Sequence, residues 1–158
     1  MHKFICISGC TASGKSSFAI ELADYFESPV IINDDALQVY DCWKILTDRP
    51  TEKKTMHDLY GHVSCTVSYS VGDWIKDVKN IFDLYSKNSK TFIFVGGTGL
   101  YFNALLNGLS QIPQIPEEIR DFANSCDLSF FLKGLNMNDP GILEKIDTNN
   151  RRRVQRAW

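Results

Sequence analysis

Apolar residues along this chain follow two alternating rhythms. Unbroken runs at FICIS (4–8), PVII (29–32) and TFIFV (91–95) have the length and residue types of buried strands. Between the runs, apolar positions recur at helical spacing. Phe18, Ala19, Leu22, Ala23 and Phe26 follow the first run; Val71, Trp74, Ile75, Val78, Ile81, Phe82 and Tyr85 precede the third. The pattern predicts strands over 3–8, 28–33 and 90–97. It predicts helices from the first run to about Tyr25, within 70–88, and from 98 to near Gly108. NDDALQVYD (33–41) reads as a turn into a short helical segment, and the polar stretch 47–60 as loop. GHVSCTVSY (61–69) reads as an edge strand, and the Pro-rich stretch 113–125 as a turn with a short helix. Strands alternating with helices imply an α/β fold, a mostly parallel sheet flanked by helices on both faces. Ligands of such sheets sit at the carboxyl ends of the strands.

Three strand ends carry unusual residues, and they fall on one edge of that sheet. After the first strand comes GCTASGKS, with the spacing Gly9, four residues, Gly14, Lys15, Ser16. Glycines let such a loop wrap so that backbone N–H groups of Gly9 and Thr11, Ala12, Ser13 and Gly14 converge on phosphate oxygens. Lys15 supplies a point charge and Ser16 a hydroxyl for Mg²⁺, while the following helix aims its positive end at the same phosphates. After the second strand come Asp34 and Asp35. Asp35 is a candidate base or magnesium-side carboxylate, Asp34 is expected to face solvent, and a helix cap is the plainer role for an aspartate at this point. After the third comes Gly96-Gly97-Thr98-Gly99, where Thr98 either caps a helix or touches a phosphate. No aspartate ends the FIFV strand, as the magnesium-holding strand of P-loop ATPases and GTPases requires, and this favours a compact transferase.

Length and charge limit the remaining classes. A chain of 158 residues fits one domain by length alone. The net charge of −2 excludes a polycation that binds nucleic acid by bulk charge. Basic residues instead gather at the end, where Arg151, Arg152, Arg153 and Arg156 follow the last acid, Asp147. On a helix, Arg152 and Arg156 stand at i and i+4, and Arg153 and Arg156 at i and i+3; such a stripe suits phosphates or is a solvated face. Five cysteines without a Cys-x-x-Cys pair suggest reduced, packed thiols and a cytoplasmic setting. The first ten residues are already strand and loop, leaving no room for a leader, and no apolar stretch reaches the roughly 18 residues of a membrane span. His57 reads as a loop residue and His62 as strand-associated rather than as metal ligands. Trp74, Tyr101 and Phe102 read as core.

The segments GCTASGKS, DALQVY, RPT, VGGTGLYFNALLNGL, IPEEIR, NDP and NNRRRVQRA occur in this order, and together they resemble the tRNA dimethylallyltransferase (tRNA isopentenyltransferase) family. The resemblance runs from about residue 5 to the end. It implies a P-loop NTPase or kinase-like core over 1–110, a shortened helical insertion over 111–140, and a basic segment over 141–158 where the chain returns to the core. It implies transfer of a dimethylallyl group from dimethylallyl diphosphate to N6 of the adenine 3′ of the anticodon in a tRNA anticodon stem-loop, with Mg²⁺, by a cytoplasmic monomer. The residues that match the family's functional positions are Asp35, Thr98 and Lys15 for catalysis. On the tRNA side they are Asp35, Ala36, Leu37, Gln38, Thr98, Arg120, Arg152, Arg153 and Arg156. Cys10 stands where proline is usual, Ala36 where serine is usual, and Arg152 where glutamine is common. The family normally continues well past this chain's last segment. A shortened chain is therefore expected to expose apolar surface. Two further readings stay open: a small-molecule P-loop kinase that uses ATP, and an inactive remnant that keeps only the phosphate cradle.

Overall fold

A computed structural model describes residues 2–50, 55–87, 89–110 and 115–158. Thr51 of the RPT segment, and Pro113 and Gln114 of the Pro-rich stretch, lie outside the described residues. Two compact units divide the chain, Met1–Ser110 and Gln111–Trp158.

The first unit contains β1 (Lys3–Ser8), α1 (Lys15–Ala23), β2 (Pro29–Asp34), a 3₁₀ turn at Asp41–Trp43, β3 (Met56–Asp58), α2 (Val71–Leu84), β4 (Thr91–Gly96) and α3 (Gly99–Asn107). The strands form a parallel sheet in the order β1-β4-β2-β3. β4 lies between β1 and β2, and all six of its residues are buried. The unbroken apolar run follows from that position, because both faces of the strand are covered. On one face Val30, Ile32, Phe92 and Phe94 meet Trp74, Val78 and Ile81 of α2 and Tyr101 and Phe102 of α3. On the other, Ile31, Ile93 and Val95 meet Ala19 and Ala23 of α1. α2 starts at a capping box: Ser70 Oγ accepts from Asp73 N, and Asp73 Oδ2 accepts from Ser70 N. β1 is an edge strand with Phe4 left 56% exposed, and Phe18 on α1 is 55% exposed.

Several expectations change here. The edge strand beyond β2 is Met56–Asp58, within the stretch read as loop. Within GHVSCTVSY only Val63 makes a strand-like contact, a bridge to Tyr40, before the chain turns at Ser64–Val67. Its alternating positions do not share one environment: Val63 is buried and Tyr69 packs against the core, whereas Val67 is 52% exposed. Asp34, expected to face solvent, is fully buried, because β2 runs one residue further into the sheet than the turn signal suggests. The thiols are not packed and reduced as a set: Cys42 and Cys65 form a disulfide, and Cys6 and Cys10 are exposed.

The second unit contains α4 (Glu117–Ser125), α5 (Leu128–Asn138), a 3₁₀ turn at Pro140–Ile142 and α6 (Arg151–Ala157). Its core is Ala123, Phe131, Leu135 and Val154. α5 lies inside the 111–140 stretch that the resemblance implies to be helical, although the apolar pattern alone predicts only the short helix before it. Its N-cap Asp127, which accepts from Phe130 N, and its apolar spacing Phe131, Leu132, Leu135 were available signals.

Candidate functional site

Parallel register brings the three strand tips level. Ser8 pairs with Gly96, and Asp34 pairs with Gly96 from the other side, so the loops after β1, β4 and β2 leave the sheet together. They also approach closely. A Cβ at Gly96 would run into the backbone of Asp34, and one at Gly97 would lie 3.2 Å from the Gly9 carbonyl oxygen. A side chain at Gly96 would therefore force β4 away from β2.

The loop after β1 turns at Ala12 (φ 61°) and at Gly14 (φ 83°), the N-cap of α1. Gly14 sits in the left-handed region that glycine enters without steric cost. This aims the unpaired N–H groups at the start of α1 into the loop. The first helical bond runs from Phe18 N to Gly14 O. Lys15 folds back over the loop, donating to the Cys10 carbonyl, with Ser13 Oγ 3.5 Å from its Nζ.

Opposite this cradle stands Asp35. Its Oδ1 accepts from Leu37 N at 2.8 Å and Gln38 N at 3.4 Å, which fixes the carboxylate's orientation. Its other oxygen has no hydrogen-bond partner among the described residues. The backbone of Asp35 is held by buried Asn33, whose Oδ1 accepts from Asp35 N at 3.0 Å and whose Nδ2 donates to Asp35 O at 2.9 Å. Trp74 Nε1 in turn donates to Asn33 O at 2.9 Å. Thr98 Oγ1 accepts from Ala36 N at 3.0 Å, tying the loop after β4 to the loop after β2. In this arrangement Thr98 positions the Asp35 loop.

A cavity of about 510 Å³ lies between cradle and carboxylate. Thr11 to Ser17 form one wall, and Asp35, Leu37 and Gln38 the other. Trp43, Leu46, Thr47 and Asp48 close the outer side, and Gln38 Nε2 holds the Thr47 carbonyl at 2.8 Å. The apolar pattern did not reveal this outer wall; the signal was Trp43 and the pair Ile45-Leu46, apolar residues outside any strand or helix period. Gly9, Ala36 and Thr98 do not line it. The Ser16 hydroxyl and the Asp35 carboxylate are hard oxygen donors on one cavity, a set that fits Mg²⁺.

Two buried groups shape the local charge. Burial raises the Asp34 carboxyl to about 8, with the neighbouring Asp35 charge adding to the effect, and neither of its oxygens has a hydrogen-bond partner among the described residues. It is therefore predominantly protonated at neutral pH. Burial, then the charges of Asp35 and Asp34, raises Tyr60 as well.

In the second unit Arg120, Arg152, Arg153 and Arg156 are all exposed. Arg151 differs from its neighbours: its Nη2 donates to the carbonyls of Ala123, Asn124 and Cys126.

The sequence profile described as IPP transferase matches residues 38–158. The chain is 45% identical over 157 residues to the tRNA dimethylallyltransferase of Ruegeria sp. (strain TM1040), covering 98% of this chain and 52% of that one. It is 44% identical to that of Bartonella tribocorum, covering 96% and 53%. Among solved structures it is similar to a eukaryotic dimethylallyltransferase acting on tRNA, with TM-score 0.80, 30% identity, and coverage of 99% of this chain and 40% of that one. It is also similar to the full-length tRNA isopentenylpyrophosphate transferase of Bacillus halodurans, with TM-score 0.63, 31% identity and coverage of 99% and 54%. The chain spans about half the length of the curated relatives it matches.

Proposed function

The chain belongs to the IPP transferase family, and from that premise we propose that its cavity binds dimethylallyl diphosphate and directs the dimethylallyl group to N6 of an adenine, the one 3′ of the anticodon in tRNA. The observation that carries this reading is the convergence of the Lys15 cradle and the Asp35 carboxylate on one cavity. The N6 lone pair attacks the allylic C1, the C1–O bond breaks, and its electron pair leaves on diphosphate. The growing charge on that leaving group falls within reach of Lys15, Ser16 and the backbone N–H groups of 11–14. Asp35 orients the exocyclic amine and takes the proton released from N6. Mg²⁺ held by Ser16, with Asp35 nearby, would neutralise diphosphate charge when bound. Adenine stacked in a tRNA loop must turn out to reach this cavity.

The similarity to tRNA dimethylallyltransferases supports tRNA as acceptor. The absence of an acid after β4, where Gly96 and Gly97 stand, favours a prenyl diphosphate over ATP in the cradle. The test is incubation with unmodified tRNA and labelled dimethylallyl diphosphate, with ATP hydrolysis as control. Label in RNA supports the reading. ATP turnover with a small acceptor points to a kinase. Pyrophosphate binding with neither activity points to a phosphate-binding remnant.

A further inference from the structure

Asp41, Cys42 and Cys65 form a second chemically distinct cluster, outside the cradle. Cys42 lies in the 3₁₀ turn Asp41–Trp43, and Cys65 in the turn that follows the Val63 bridge. Their Cα atoms are 6.1 Å apart, within the span a disulfide bridges without backbone movement. Both residues are exposed, so small thiols and disulfides in solution reach them. Asp41 Oδ1 accepts from Cys65 N at 3.2 Å and lies 3.2 Å from Cys65 Sγ. The same oxygen accepts an S–H bond once the pair is reduced, so the cluster accommodates both oxidation states.

The position of this pair gives it a consequence. Residues 38–41 run beside 61–63, held by Gly61 N to Gln38 O, Val63 N to Val39 O and Asp41 N to Val63 O. Beyond Asp41 the chain leaves the core. Ile45 is 94% exposed and Leu46 82% exposed, and no residue of 41–46 is buried. Yet Trp43, Leu46, Thr47 and Asp48 make the outer wall of the cavity. Besides the cross-link at Cys42, the polar bonds that anchor this wall among the described residues are few, among them Gln38 Nε2 to Thr47 O and Arg49 Nη1 to Tyr40 O. A segment with so little buried surface opens locally at small cost, and a covalent tether at its start changes that cost most.

We propose that Cys42 and Cys65 are a reversible thiol–disulfide exchange site for small disulfides of the glutathione class, and that its oxidation state fixes or frees the outer wall of the cavity. Oxidation converts the two thiols and one glutathione disulfide into the Cys42–Cys65 disulfide and two glutathione thiols, through a mixed disulfide. Reduction by two glutathione thiols reverses it. The consequence for ligands rests on the reading of the cavity as a prenyl diphosphate site; the exchange chemistry does not.

The test equilibrates the whole chain in glutathione buffers of graded ratio, then combines peptide mapping with amide hydrogen exchange. We expect a Cys42–Cys65 cross-linked peptide in oxidising buffer and two separately alkylated peptides in reducing buffer. Amide exchange over 41–48 should be about tenfold faster when reduced. Cys42→Ser/Cys65→Ser should show the fast exchange in every buffer. A non-reactive thio analogue of dimethylallyl diphosphate should bind about fivefold more weakly on reduction, whereas inorganic pyrophosphate, which needs only the cradle wall, should change by less than about twofold. Absence of the cross-link in every buffer overturns the proposal. So does a cross-link that leaves 41–48 exchange unchanged, or a reduced cluster that takes up Zn²⁺ so tightly that no disulfide forms. Failure of pyrophosphate to bind in either state instead removes the prenyl diphosphate reading, while mapping and hydrogen exchange still decide the switch.

Discussion

Asp34 and Asp35 are chain neighbours with opposite situations, and the difference is one of solvation. Asp35 is half-buried, and its Oδ1 accepts two backbone N–H groups. Asp34 is buried with no hydrogen-bond partner among the described residues, and its proton is held to about 8 against an ordinary value of 3.8. A raised acid binds more protons folded than unfolded between those two values. Stability therefore falls as pH rises through that window, by at most about 1.4 kcal/mol per pH unit. Asp34→Asn keeps the shape and removes the titration. Its urea midpoint at pH 5, 7 and 8 should be nearly level where the parent's declines; an unchanged decline would assign the effect elsewhere. Asp35→Ala has a different expected result. Label transfer to tRNA should drop at least about 100-fold, the scale of a lost general base, while pyrophosphate affinity stays within about twofold. Transfer that survives the substitution would mean another group takes the N6 proton.

Elements with a sustained apolar run or a helical apolar period were the readable ones, and this held even for β1, whose edge position leaves much of it exposed. β2 and β4 announce themselves because nearly every residue packs, and α2 because Trp74, Val78 and Ile81 fall on one side. The cradle was readable because glycine, lysine and serine types are dictated by backbone geometry and charge rather than by neighbours. β3 was not: Met56, His57 and Asp58 form a strand only because β2 offers Val30 to Ile32 as a template. The outer cavity wall, the buried Asp34 and the Cys42–Cys65 bond were hidden for the same reason, since each depends on residues distant in sequence. The run Arg151, Arg152, Arg153 shows this at one helix start. Arg151 reaches three carbonyls at the end of α4, while its neighbours point to solvent. A cation on the last carbonyls of a helix satisfies groups the helix itself leaves open. Arg151→Ala should destabilise the 111–158 unit by about 2 kcal/mol, against under about 0.5 kcal/mol for Arg152→Ala. Hydrogen exchange of α4 measures the difference, and equal effects would mean the three carbonyl contacts contribute nothing.

Charge is placed unevenly over the whole molecule. The net value is −2, yet Arg152, Arg153 and Arg156 stand exposed on α6 with no acid after Asp147. A chain with that balance gains nothing from RNA by bulk attraction, so any RNA affinity must come from a local patch. Each arginine that neutralises a phosphate releases about one counterion, and affinity then falls with salt in proportion to the number of contacts. Removing two such arginines lowers the slope of log affinity against log salt by about two, whereas removing two solvated ones leaves it alone. The variant Arg152→Glu/Arg156→Glu should therefore bind unmodified tRNA at least about tenfold more weakly at low salt, with that shallower slope. Pyrophosphate binding should not change, because the cradle lies in the 1–110 unit and is built from Thr11 to Ser16. Loss of both tRNA and pyrophosphate binding would indicate a folding defect. An unchanged salt slope would make the α6 stripe a solvated face and leave tRNA contact to Gln38 and Arg120 or to other parts of the surface.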